Sequence, residues 1–144
     1  MGALTFNAMP KYQLSCEIQT QYLPGQSAPD EEVYGFAYTV TLTNTGDIAA
    51  QLIARHWVIS DARGFTEEVK GLGVVGHQPL LKPGESFQYS SGSRLRTRSG
   101  TMHGSYFLVA EDGHRFESAI PMFVLDAGEG PSADVGAGSA RVLH

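Results

Sequence analysis

The chain has 144 residues, a formal net charge of −5 and one cysteine, which suits a single domain whose core needs neither a disulfide framework nor a metal staple. The acidic balance excludes generic duplex binding, which requires a broad basic face, so no nucleic-acid partner is expected. No long apolar run is present and the start MGALTFNAMPKY lacks a signal-peptide pattern, so a cytoplasmic protein without membrane insertion is expected.

Residues 1–11 read as an N-terminal arm. From Tyr12 to Tyr22 the chain alternates, with Tyr12, Leu14, Cys16, Ile18, Thr20 and Tyr22 on one face and polar residues on the other, the pattern of a half-buried strand. Cys16 falls on the apolar face, where a thiol acts as a small core residue and lacks the cationic, accessible setting of a nucleophile. The polar, proline-bearing LPGQSAPDEE makes a loop. A second strand is predicted from about Val33 to Asn44, with Tyr34, Phe36, Tyr38, Val40 and Leu42 inward. Asn44-Thr45-Gly46 supplies turn chemistry. A third strand, about Gln51 to Ser60, carries Ile53, Arg55, Trp57 and Ile59 in one phase, which predicts Trp57 buried between two sheets. Asp61 to Gly64 closes a hairpin into a short strand, Phe65 to Val69.

Next comes Gly71-Leu72-Gly73-Val74-Val75-Gly76, a GxGxxG pattern. A dinucleotide site of that form needs a helix directly afterwards to receive the pyrophosphate. Here Pro79 and Pro83 follow, and no acidic residue occurs from 86 to 110 to hold a ribose, so the Rossmann reading fails. Two readings survive: glycines serving the backbone of a long connection between strands, or a nest of amides around a small anion. The nest gains support from local charge, because from Lys70 to Ala110 five cations accompany the single acid Glu85. The candidate phosphate- or nucleotide-binding set is therefore Lys70, Gly71, Gly73, Gly76, Arg94, Arg96 and Arg98.

Lys82-Pro83-Gly84-Glu85 turns into a strand at Ser86 to Ser90. Arg94, Arg96 and Arg98 occupy alternate positions, so in an extended segment they share a face, either as an anion site or as charges guarding an edge strand. Met102 to Ala110 is another strand. Glu111-Asp112-Gly113 turns tightly, and Arg115 to Leu125 returns, with Pro121 marking a bulge or an edge. Residues 126–144, rich in glycine, alanine and serine, read as a disordered tail. About seven strands without an amphipathic helix predict an all-β, disulfide-free sandwich of immunoglobulin or fibronectin type III kind over residues 12–125.

With these segments in place, the chain resembles the ApaG family of small bacterial proteins, whose domain also occurs in some eukaryotic F-box proteins and a polymerase-associated protein. The resemblance covers roughly residues 12 to 125. It rests on YLPGQSAP (Tyr22 to Pro29), FAYTVTLTN (Phe36 to Asn44), RHWVISDARG (Arg55 to Gly64), EEVKGLGVVGHQPLLKPGESFQYSSG (Glu67 to Gly92), GTMHGSY (Gly100 to Tyr106) and IPMFVL (Ile120 to Leu125). It implies a fibronectin type III-like sandwich, a family label tied to cobalt and magnesium tolerance or efflux, and no established catalytic residues. The familiar loop form is GPGVVG, in which Leu72 here replaces proline.

The residues themselves supply no catalytic constellation. His56, His77, His103 and His114 are scattered without metal-ligand spacing, and the neighbours Glu67 and Glu68 point to opposite faces of a strand. No cofactor and no metal site are expected. The expectation is a non-enzymatic binding or protein-interaction module with an unidentified protein partner, able to self-associate through an edge strand. The alternative is a nucleotide or pyrophosphate sensor at the glycine loop, acting with a divalent cation.

Overall fold

The structure, a computed structural model, describes residues 9–128. Within them run eight strands, β1 (Leu14–Tyr22), β2 (Tyr34–Asn44), β3 (Ala50–Asp61), β4 (Thr66–Leu72), β5 (Leu80–Leu81), β6 (Ser86–Leu95), β7 (Ser99–Ala110) and β8 (Arg115–Asp126). The eighth relative to the sequence reading is the two-residue β5. The strands form two antiparallel sheets, one ordered β1-β2-β6 and one ordered β4-β3-β7-β8 with β5 added to β3. This is the predicted β-sandwich. The described residues hold one cysteine, a free thiol at Cys16.

Alternation in the sequence becomes layering because the register keeps like with like. Leu14 pairs with Asn44, Cys16 with Leu42, Ile18 with Val40 and Thr20 with Tyr38, so the apolar set of β1 and that of β2 line one inner face. Phe36, Val40 and Leu42 are 1% exposed or less. From the other sheet comes Trp57, 2% exposed, which meets Tyr38, Phe123 and Tyr106 edge-on at centroid distances of 5.4, 5.9 and 6.4 Å, the arrangement favoured by ring quadrupoles. Deep between the sheets the hydroxyls of Tyr89 and Tyr106 lie 2.6 Å apart. Burial pushes both phenols well above their ordinary range, so the pair is held as a neutral hydrogen bond.

Trp57 is buried as expected, but not in simple phase with Ile53. The β3–β7 register shifts between Leu52 and Ala54, leaving Ile53 as an extra residue, so Leu52 and Trp57 both point inward although five positions separate them. A second shift on the β7–β8 ladder falls at Pro121-Met122, on an edge strand, where a residue without an amide hydrogen does least damage.

The folded region also extends past both predicted boundaries. The Lys11 amide donates to Asp47 Oδ2 at 3.0 Å and the Asp47 amide to the Lys11 carbonyl at 2.8 Å. Beyond Leu125, β8 continues to Asp126, and Ala127 is buried with its amide on the Arg98 carbonyl at 2.8 Å. Of the predicted arm, residues 1–8 lie outside the described residues, as do residues 129–144 of the predicted tail.

Candidate functional site: the glycine hairpin and the outer face of the five-stranded sheet

The glycine motif is not a loop from end to end. Lys70, Gly71 and Leu72 complete β4, where Gly71 stands opposite Arg55 and Leu72 opposite Ala54. Arg55 lies over the glycine. Its Nη1 donates to the carbonyls of Leu72 and Gly73, each at 3.0 Å, by folding across Gly71, where a Cβ would sit 2.8 Å from that nitrogen. Only Val74 to His77 form the turn. Val74 and His77 exchange amide-to-carbonyl bonds at 2.8 and 2.9 Å, and between them Val75 and Gly76 have φ of +45° and +83°, the signature of a two-residue type I′ hairpin. Val74 is fully buried and plugs the hairpin into the core, whereas Val75 is 55% exposed. A β-branched residue with positive φ is a true conformational outlier.

This geometry separates the predicted anion-binding set. The amides of Gly73, Val74 and His77 already donate to the carbonyls of Ile53, His77 and Val74, so they cannot also form a nest. The three arginines lie at the far end of the sandwich. His77 packs on Phe87 at 5.6 Å, while Arg94 is seven residues further along β6, about 23 Å at the rise of a strand. Nor do the arginines share an extended face. The strand ends at Leu95 and the chain bends through Arg96, Thr97 and Arg98. Arg96 stacks over Phe65 at 4.4 Å, Arg98 lies over Tyr34 at 5.6 Å, and Arg98 Nε donates to the Gly128 carbonyl at 3.0 Å. Lys70 and Gly71 remain near the hairpin, Gly73 and Gly76 shape it, and Arg94, Arg96 and Arg98 belong elsewhere.

What the hairpin borders instead is the outer face of the larger sheet. Register places Leu72, Ala54, Phe107 and Glu117 in one row across β4, β3, β7 and β8, and Lys70, His56, Ser105 and Ala119 in the next. All of these except Ala119 line an open concavity of ≈ 480 Å³. Leu80, paired with Gln51, and Val75 at the hairpin tip are 57% and 55% exposed, and Leu72, 74% exposed, adds apolar surface to the concavity. On its polar side His56 Nε2 lies 2.7 Å from Glu68 Oε1, and that hydrogen bond holds the Glu68 carboxyl below its ordinary value. Among the described residues no three His, Cys, Asp or Glu side chains are grouped to hold a metal ion, and no helix is long and apolar enough to cross a membrane. The concavity was not read from the sequence, although the unbroken apolar run Tyr106 to Ala110 is a signal of it: Tyr106 and Leu108 point inward, which leaves Phe107 and Val109 to the outer face.

Comparison with known proteins places this geometry. The model of the ApaG domain matches residues 24–110, and Protein ApaG of Acidovorax sp. (strain JS42) is 67% identical over 138 residues, covering 94% of this chain and 100% of that protein. The chain belongs to the ApaG family. Protein ApaG of Ralstonia nicotianae is 58% identical over 81% of this chain and 94% of its own length. A crystal structure of the ApaA protein from Bordetella pertussis superposes with a TM-score of 0.79 at 50% identity, covering 83% of this chain and 97% of that one. Within the ApaG frame the exchange of proline for Leu72 has a plain backbone explanation. The bonds Gly73 to Ile53 and Asp61 to Phe65 fix which residues of β4 face β3, and by alternation the Leu72 amide points away from the ladder. Proline there sacrifices no ladder bond; leucine leaves the ladder equally intact and adds an exposed apolar side chain.

Proposed function

We propose that the chain is a non-enzymatic, cytoplasmic protein-interaction module that receives its partner on the outer face of the five-stranded sheet, beside the glycine hairpin. Cobalt and magnesium tolerance, implied by the family resemblance, is then an accessory effect exerted through that partner. One observation carries the reading. Val75 is held at a φ of +45° and 55% exposed, where asparagine or glycine would relieve the backbone, and strain kept at an exposed apolar tip points to a use for the side chain. Leu72 and Leu80 are further exposed apolar side chains of the same sheet and hairpin, the kind of surface that interaction sites present, and Lys70, His56 and Glu117 supply polar groups within the concavity. The test is site-specific photo-crosslinking in cells. A crosslinker at Leu72 should trap one discrete protein, and one at Gln19, on the outer face of the other sheet, should not. Equal trapping at both positions, or none at either, rejects the surface.

A further inference from the structure

We propose that β6 is a self-pairing edge through which two copies of the chain join their three-stranded sheets. The edge belongs to the three-stranded sheet, away from the proposed partner face on the five-stranded one, and the inference does not rest on that face.

Among the described residues, strand β6 has β2 as its one ladder partner. The Asn44 amide bonds the Glu85 carbonyl at 3.0 Å, in line with the register Thr43↔Ser86, so odd residues of β6 turn their amides and carbonyls toward β2. By alternation Ser86, Gln88, Ser90, Gly92 and Arg94 turn theirs to the open side. The other edges of the sandwich carry protection of the usual kinds. On β4 stand Glu67, Glu68 and Lys70, and β8 has Arg115, Glu117 and the irregularity at Pro121. On β1 stands Glu17, and the Leu14 carbonyl there accepts a bond from Ser118 Oγ at 3.3 Å. From Ser86 to Ser93, β6 has no charge, no proline and no register shift.

The occupant is a second copy because β6 complements itself. Antiparallel pairing about a two-fold at Ser90 sets Ser86 opposite Arg94 and Gln88 opposite Gly92, all residues whose backbone groups face the open side. No like charges meet, since Arg94 is the only charged residue of β6. On the inner face the large Phe87 and Tyr89 come opposite Ser93 and Ser91, large against small, as good cross-strand packing requires. The outer face joins two polar surfaces whose hydroxyls are already paired, Thr39 with Ser90 at 2.8 Å and Thr43 with Ser86 at 2.7 Å. Such a contact adds backbone bonds with little apolar burial, so the dimer should be weak and concentration-dependent.

The experiment is sedimentation and light scattering on the full chain up to about 1 mM, the regime of weak contacts, with Ser90→Lys, Ser90→Glu and their equal mixture. Ser90 is exposed, so circular dichroism should show both variants folded. The wild type should dimerise with concentration. Each variant alone should place two like charges at the axis and raise the dissociation constant several-fold, and the mixture should restore or exceed wild-type dimer. A wild type that stays monomeric throughout, variants that dimerise unchanged, or a mixture no stronger than its parents overturns the proposal. So does a monomer whose β6 amide signals shift on adding an unrelated extended peptide, which would assign the edge to a foreign strand.

Discussion

Val75 and its two glycine neighbours divide one hairpin into separable tasks. The left-handed backbone costs an L-residue about 1–2 kcal/mol, and Asn-Gly is the pair that a type I′ turn prefers. Val75→Asn should therefore raise stability by about 1 kcal/mol while removing the crosslink captured at Leu72, a divergence that thermal melting and the crosslinking assay measure together. Gly73 and Gly76 both have positive φ, yet they differ in surroundings. A Cβ at Gly73 would lie 2.4 Å from the His77 carbonyl oxygen, whereas at Gly76 nothing lies within 4 Å. Gly76→Ala should cost only the conformational penalty, about 1 kcal/mol, and Gly73→Ala clearly more, about 3 kcal/mol, because the hairpin must open as well. Denaturant melts of the two variants decide it. Cys16 belongs to the same scale: burial pushes its thiol up to about 11 from an ordinary 9.0, so near pH 8 the reactive thiolate is depleted about a hundredfold. Alkylation of the native protein should be correspondingly slow at pH 8 and accelerate as the pH approaches 11, and a rate equal to that of the unfolded chain would place the thiol in solvent.

At the scale of the element, the hairpin's hydrogen bonds set what it can bind. With three of its amides committed and the arginines at the opposite end of the sandwich, a saturating pyrophosphate titration should leave the amide NMR signals of residues 70–78 unmoved; concerted shifts there would revive the anion reading. The same elements show what a sequence discloses. Strands β1 and β2 were legible because their partners keep an uninterrupted register, so period-two alternation survives into the fold. The bulge at Ile53 was not, since an extra residue on one strand is defined only against the strand it faces. Gly71 reads as part of a connection and is a strand residue, because its ladder partner is Arg55, sixteen positions earlier in the chain, whose guanidinium folds over it. Arg94, Arg96 and Arg98 looked like one face because alternation presumes extension, and the bend after Leu95 cancels that presumption. The outer concavity draws on four strands at once, which no local pattern encodes.

For the whole molecule, the boundary of the fold is itself testable. Residues 129–144 are rich in glycine, alanine and serine, a composition that offers little apolar surface against chain entropy, and the expected outcome of deletion from Glu129 is an unchanged melting temperature. Deletion from Asp126 should lower it, because Ala127 is buried and both Ala127 and Gly128 bond Arg98. A drop with the shorter deletion would show that the last residues dock. The two ends of the folded region also leave in opposite directions. Leu14 opens β1 beside Asn44 and close to Ser118 early in β8, while Asp126 closes β8 beside Ser99. Strands β1 and β8 thus start at the same end and run alongside each other, one carrying the chain in and the other carrying it out. Tension applied between the two ends would load both strands along their length, so that many hydrogen bonds must break together and none can be peeled in turn, and the domain could sit within a longer polypeptide as a mechanically resistant link.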